Sequence, residues 1–196
     1  MEDVTACNVL SSDNFYDLLL HYGSSDISAT QRDSLKRMLS LLQVKQPFDR
    51  NTFPAHFTAS AFIINGQDPS TFLLLQHRKL GIWIQPGGHC DGDSDVLAAA
   101  VRELAEETGL KNISLFSDGI FDLDIHSIPA TSKEPEHEHF DIRFCFIAQN
   151  PEELSCNDES TDAGWFSLKN SPNHEAGILR MARKTETLSK SEAVFA

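Results

Sequence analysis

The sequence predicts an α/β fold, layered around a mixed β-sheet. Strand-sized apolar runs outnumber helix-periodic segments, and helices flank the strand run at both ends. A length of 196 residues gives room for one domain with a proper core and an accessory segment. Residues 1–50 read as an N-terminal helical extension and residues 51–190 as the main domain.

The first helix is expected over Asn14 to Tyr22, which carries Phe15, Leu18, Leu19 and Leu20. Ser28-Ala-Thr-Gln31 is a capping-box pattern. It opens a second helix with Leu35, Met38, Leu39 and Leu42 on one stripe. That stripe reads as packing against the main domain, with a homodimer interface or a substrate lid as the alternatives. Pro47 ends the helical part. His56 to Ile64 alternates and then turns continuously apolar, as a strand does. Asn65-Gly66 is a turn signal, and the Leu-rich Thr71 to His77 returns as the second arm of a hairpin. Trp83-Ile84 is a short strand broken by Pro86-Gly87-Gly88. A helix is expected from Asp95 to Thr108, buried through Val96, Leu97, Ala100, Val101 and Leu104 and stopped by Gly109. Gly119 to His126, Phe140 to Ala148 and Gly164 to Leu168 are strands, and Pro129 to His139 is a polar loop. A last helix is expected from Ser171-Pro172, with Pro at its first position, through Ile178, Leu179 and Met181.

Composition narrows the functions. The formal net charge is −13, which argues against nucleic acid or an anionic membrane as partner. An anionic substrate then needs metal ions or local basic groups to approach. Cys7, Cys90, Cys145 and Cys156 show no C-x2-C spacing. They read as reduced thiols of a cytoplasmic protein. The Met1-Glu-Asp-Val start is acidic, without the basic and apolar regions of a signal peptide. The apolar runs are strand-sized, so no transmembrane helix is expected.

The chemistry concentrates between Gly88 and Leu110, which reads G-H-C-D-G-D-S-D-V-L-A-A-A-V-R-E-L-A-E-E-T-G-L. Glu103, Glu106 and Glu107 stand at i, i+3 and i+4. At about 100° per residue they share a narrow sector of one helix. Clustered carboxylates repel unless a positive charge sits among them, and hard divalent cations prefer oxygen ligands. A solvated helix face is the plain alternative.

This stretch resembles the signature of the Nudix hydrolases, G-x5-E-x7-R-E-U-x-E-E-x-G-U with U aliphatic. Gly88, Arg102, Glu103, Leu104, Glu106, Glu107, Gly109 and Leu110 match it at the right spacing. Ser94 stands where the signature has its first Glu, flanked by Asp93 and Asp95. The resemblance covers roughly residues 55 to 185. It implies an α/β/α sandwich and hydrolysis of a phosphoanhydride bond with Mg²⁺ or Mn²⁺. The substrate would be a small-molecule diphosphate: a nucleoside diphosphate linked to another moiety, or a nucleoside triphosphate. Glu103, Glu106 and Glu107 would hold the metal, with the Gly88 carbonyl as a further ligand. Arg102 would orient a glutamate, the alternative being a phosphate contact. A catalytic glutamate stands in MutT-like members at a spacing similar to that of Glu159 before Trp165, so Glu159 is the candidate base or extra metal ligand, with a glutamate of the signature helix as the alternative base. The alternative is a catalytically weak nucleotide-binding sensor on the same fold, which Ser94 motivates.

The remaining candidates come from the residues alone. In Glu136-His-Glu-His-Phe-Asp141 the histidines alternate, so an extended strand would put His137 and His139 on one face. Together with His126 they read as phosphate or base recognition, as a transition-metal pair, or as a polar surface loop. Arg78, Lys79 and Arg143 are candidate phosphate contacts. Trp83, Phe121, Phe140 and Trp165 could stack on a base.

Overall fold

The computed structural model describes residues 15–191. Cys7, Asn14 and the acidic start of the chain lie outside the described residues. Helices α1 (Phe15–Ser24) and α2 (Ala29–Leu41) precede strands β1 (Ala55–Asn65), β2 (Phe72–His77), β3 (Trp83–Ile84) and β4 (Gly87–His89). Helix α3 (Val96–Thr108) follows, then β5 (Ile113–Leu115), β6 (Asp122–Ile128), β7 (His137–Ala148), β8 (Ser160–Phe166) and α4 (Ala176–Ser191). The strands form one mixed sheet, as expected. Its path is β3-β2-β1-β7-β5, with β4 also on β1, β6 on β7 and β8 on β2.

β1 and β7 run parallel and in register from Ala55↔Glu138 to Asn65↔Ala148. The other edge of β1 is shared. β4 pairs with Thr58 to Ser60, and β2 pairs at Ile64. Because side chains alternate along a strand, these two strands sort the whole interior. On one face Phe57, Ala59, Ala61 and Ile63 of β1 join Phe140, Ile142, Phe144 and Phe146 of β7. Ala99, Ala100 and Leu104 of α3 cover them, with Phe15, Leu19 and Met38 of the N-terminal helices. The stripe of α2 therefore packs against the main domain. On the other face Phe62, Ile64, Cys145 and Ile147 meet Ile178, Met181 and Ala182 of α4.

The first halves of β1 and β7 put polar groups on that second face: His56, Thr58 and Ser60, and His137, His139, Asp141 and Arg143. The Arg143 guanidinium is buried. It donates from Nε to Asp141 (2.8 Å) and lies 3.0 Å from Asp124 and 3.6 Å from Asp122. Arg180 of α4 adds a two-pronged contact to Asp122, at 2.9 and 2.6 Å. Burial opposes the charge of Arg143, but Asp141, Asp124 and Asp122 outweigh it and raise its pKa.

Several boundaries differ from the sequence reading, each for a pairing or capping reason. β7 starts at His137, not Phe140, because β6 pairs with residues 137–139 and β1 with residues 138–139 on the other side. The polar loop is shortened accordingly. β6 starts at Asp122, since Gly119 turns with φ of +77°. β8 takes in the polar Ser160-Thr-Asp162, which pair along β2 with Thr161 and Asp162 exposed. α4 begins at Ala176, because Asn173 is held out of the helix. Its Nδ2 donates to the Trp83 carbonyl (2.6 Å) and its Oδ1 accepts from the Glu175 N–H (2.7 Å). The capping box at Ser28 forms with both of its bonds. Cys90, Cys145 and Cys156 are free thiols.

Replacing Arg143 with Met leaves three aspartates clustered without their central cation. Removing one partner of a buried ionic group costs about 3–5 kcal/mol. Urea denaturation of Arg143→Met should show a loss of that size, and a loss below about 1 kcal/mol would show that the network is not stabilised through this cation.

Candidate active site

α3 is placed by its ends. The Asp95 carboxylate accepts from the Ala98 N–H (2.9 Å), and Gly109 closes the helix in the left-handed region at φ +68°. Burying Val96, Ala99, Ala100 and Leu104 against the sheet turns Glu103 and Glu107 toward β4 and leaves Glu106 exposed. Gly88 lies close against Glu103: a β-carbon there would stand 2.6–2.9 Å from its carboxylate atoms, which would have to swing aside. Gly87 serves another contact, because a β-carbon there would collide with Ser60 of β1. Its N–H donates to Glu107 Oε1 (3.2 Å). Arg102 Nη2 donates to the His89 carbonyl (2.7 Å) and to Glu103 Oε1 (3.0 Å). One arginine thus braces both the helix glutamate and the glycine strand.

The electrostatics are those of a carboxylate set short of positive charge. Burial pushes the Glu107 carboxyl from the ordinary 4.5 up to about 7, against the Gly87 N–H, with Glu103, Glu159 and Glu106 adding to the rise. Burial also raises Glu103, against the pull of Arg102. The donors are carboxylate and backbone oxygens around a glycine cradle, which is the chemistry a hard divalent cation takes. The residues present fit such an ion.

The structure distributes the other predicted residues unevenly. Glu159 sits exposed before β8, and its charge reaches Glu107. Arg78 is tied to the loop that carries it: Nε donates to the Asp158 carbonyl (2.6 Å), Nη2 to that of Ser160 (3.0 Å). The Arg78 N–H donates to the Glu159 carbonyl (2.8 Å). Arg78 is therefore a brace of the Glu159 loop. Arg143, expected at phosphate, is instead buried and ion-paired with Asp122, Asp124 and Asp141. Ser94 lies beside Phe15 and Leu18 of α1, lining one apolar hollow with them. Trp83 packs edge-on against Phe166, and Phe121 and Phe140 are core.

His137 and His139 do share a face, and two further histidines join them. His56 on β1 and His89 on β4 come within ring contact of His139. Burial pushes His139 down to about 2, helped by His89, His56, His126 and His137, and pushes His89 down to about 4. Neither His56 nor His89 stands out as a partner of the H-x-H pair in the sequence. The available signal was the alternation of His56-x-Thr58-x-Ser60 beside His137-x-His139-x-Asp141, two polar half-strands of equal period.

The mixed sheet and the glutamate helix on its glycine strand have the arrangement of a Nudix domain. The family model of the NUDIX domain matches residues 54–185, and the chain belongs to the NUDIX family. A NUDIX-family hydrolase from Clostridium perfringens superposes with a TM-score of 0.52 at 29% identity, over 68% of this chain and 97% of that one. The Ap4A hydrolase of C. elegans, solved as a binary complex, gives a TM-score of 0.57 at 20% identity, over 69% and 98%. A putative 8-oxo-dGTP diphosphatase of Bacillus subtilis (strain 168) is 38% identical over 53 residues. That match spans 27% of this chain and about a third (36%) of the relative. No helix among the described residues is long and apolar enough to cross a membrane.

The raised Glu107 pKa has a signed consequence for the metal-free fold. The folded chain holds this proton up to about pH 7, the unfolded chain only to about 4.5. The stability it contributes is present below the lower value and lost as pH rises through the upper one. Glu107→Gln should therefore stabilise the chelator-treated protein more at pH 8 than at pH 5, by on the order of 2 kcal/mol. Thermal melts at the two pH values check this, and equal shifts at both would refute it.

Proposed function

We propose that the protein is a divalent-metal-dependent hydrolase of a phosphoanhydride bond. The observation that carries this reading is the convergence of Glu103 and Glu107 on the Gly87–Gly88 backbone, with Glu106 beside them on α3. Glu103, Glu106, Glu107 and the Gly88 carbonyl would hold Mg²⁺ or Mn²⁺. When bound, such an ion draws charge from phosphate oxygens and makes water more acidic.

The chain's own groups do the rest. Arg102 fixes the Glu103 carboxylate and the His89 carbonyl, so the acidic helix and the glycine strand keep their spacing. Glu159 takes the proton of the attacking water, and Arg78 positions the loop that presents it. A base there must come within hydrogen-bond reach of that water in the substrate complex. Burial of Glu107 keeps it responsive to incoming positive charge. The substrate class is a nucleoside diphosphate linked to another moiety, or a nucleoside triphosphate. Two relatives are named for nucleotides of this kind, Ap4A and 8-oxo-dGTP. The net charge of −13 supports this reading only with a metal at the site, since the bare protein repels a polyphosphate.

A second reading, a sensor with weak catalysis, rests on Ser94. The intact Arg102-Glu103 and Glu106-Glu107 pairs favour the enzyme.

Glu103→Gln and Glu107→Gln should each lower turnover by about 100-fold or more, the equivalent of several kcal/mol of metal-assisted stabilisation, with circular dichroism unchanged. The measurement is product release from nucleoside triphosphates, dinucleoside polyphosphates and nucleotide sugars with Mg²⁺ or Mn²⁺. Turnover that persists in excess chelator, or in Glu107→Gln, contradicts the proposal.

A further inference from the structure

Away from the glutamates, the sheet register gathers imidazoles. His56 is the register partner of His139, His139 that of His126, and His89 lies opposite Thr58, two residues along from His56. The rings of His56, His89 and His139 form a nearly equilateral triangle, with centroids 4.9, 5.1 and 5.2 Å apart. One ligand nitrogen from each lies within 4.8 Å of the other two. His137 joins them, its Nε2 at 3.3 Å from His139 Nε2.

Backbone carbonyls fix which nitrogens face inward, because a carbonyl only accepts. His56 Nδ1 donates to the Thr52 carbonyl (3.2 Å), and His137 Nδ1 donates to that of Pro135 (2.8 Å). Each therefore presents a bare Nε2. The Nε2 of His56 is buried, on a residue 1% exposed, and has no hydrogen-bond partner. Among the described residues only Arg143 Nη1 shares that condition, and Asp122 stands 3.6 Å from it. Nothing in the protein compensates the His56 lone pair.

We propose that His56, His89 and His139 form a site for one borderline-soft divalent cation of the Zn²⁺ type, with His137 at the fourth position. Imidazole nitrogens suit such ions. Zn–N bonds of about 2.0–2.1 Å place tetrahedral ligand nitrogens about 3.3–3.4 Å apart, the spacing already present between His137 and His139. The triad nitrogens, within 4.8 Å of one another, would draw closer around the ion. The ring N–H groups of His56 and His137 rest on carbonyls, the outer contact that orients metal-bound histidines. No carboxylate belongs to the triad, so it discriminates against the hard ion proposed for the glutamates. The two sites are neighbours in the chain: His89 follows Gly88, and Arg102 holds the His89 carbonyl while pairing with Glu103. A cation on the triad ties β1, β4 and β7 together beside the glycine cradle.

The test uses the full chain, stripped with chelator and titrated with ZnCl₂ in millimolar MgCl₂. Isothermal calorimetry and the visible absorption of substituted Co²⁺ are the readouts. The wild type should take up one equivalent of Zn²⁺ and show the absorption of tetrahedral nitrogen ligation. The Glu106→Gln/Glu107→Gln protein should do the same. His56→Ala/His139→Ala should weaken binding by more than about 100-fold and lose the rise in melting temperature on Zn²⁺ addition. Should that pair fail to fold, His89→Ala on the short β4 strand gives the same reading. Absence of Zn²⁺ uptake overturns the proposal. So does uptake that survives the histidine variants and vanishes with the glutamate variant, which would place the ion on α3. No substrate enters the measurement, so its failure is distinct from failure of the hydrolase reading.

Discussion

The in-register parallel pairing of β1 and β7, from Ala55↔Glu138 to Asn65↔Ala148, is the constraint on which the other elements depend. Strands of this kind are buried on both faces and usually apolar throughout. Here the second halves obey that rule and the first halves break it on one face only. The unbroken face carries α3, and so sets the height of Glu103 and Glu107 above the sheet. The broken face carries the histidines and the Arg143 network. β4 hangs on the first half of β1 alone, through residues 58–60. Slipping β1 by one residue would turn His56, Thr58 and Ser60 into the α3 core and Phe57 and Ala59 out of it. Both polar assemblies and the glycine strand thus rest on one register.

Two groups of carboxylates in this protein are handled in opposite ways. Asp122, Asp124 and Asp141 surround Arg143, with Arg180 and His126 on their outer side. That set is compensated, and the Asp124 pKa is lowered: burial opposes its charge, but His126 and Arg143 prevail. Glu103 is paired with one arginine, Arg102, while Glu107 accepts from the Gly87 N–H, and both pKa values are raised. In a chain of net charge −13 the deficit of positive charge is therefore local to α3 and β4. Departures from local consistency of this sort collect at functional positions.

Much of this was legible in the sequence, because the signals concerned are local. α3 carries its own start at Asp95, its stop at Gly109 and its apolar stripe, so its ends agree with expectation. The capping box at Ser28 and Gln31 is equally self-contained. What escaped depends on partners distant in the chain. β4 is two glycines and a histidine, with no strand propensity, and forms because Gly87, lacking a β-carbon, can lie close against Ser60 of β1. His137 and His139 resemble loop residues until β6 pairs with both of them and β1 with His139. Arg143 and Arg78 look alike as surface cations in the sequence. One is enclosed by three aspartates from β6 and β7, the other engaged with carbonyls 80 and 82 positions away. The glutamate site is readable because one helix and its preceding loop contain most of it. The histidine site draws on three strands and is visible only once they are aligned.

Gln31 does more than close the first turn of α2. Its Oε1 accepts from the Ser28 N–H, while its Nε2 donates to the Tyr22 hydroxyl (2.6 Å) on α1 and to Asp122 (2.9 Å) on β6. One side chain therefore belongs at once to a helix cap, a helix–helix contact and the buried acid network. Fraying of that turn cannot stay local, since it also admits water to Asp122 and releases α1. The N-terminal helices should then open as one cooperative unit, with amide exchange across Phe15–Ser24 and the start of α2 sharing a single protection level.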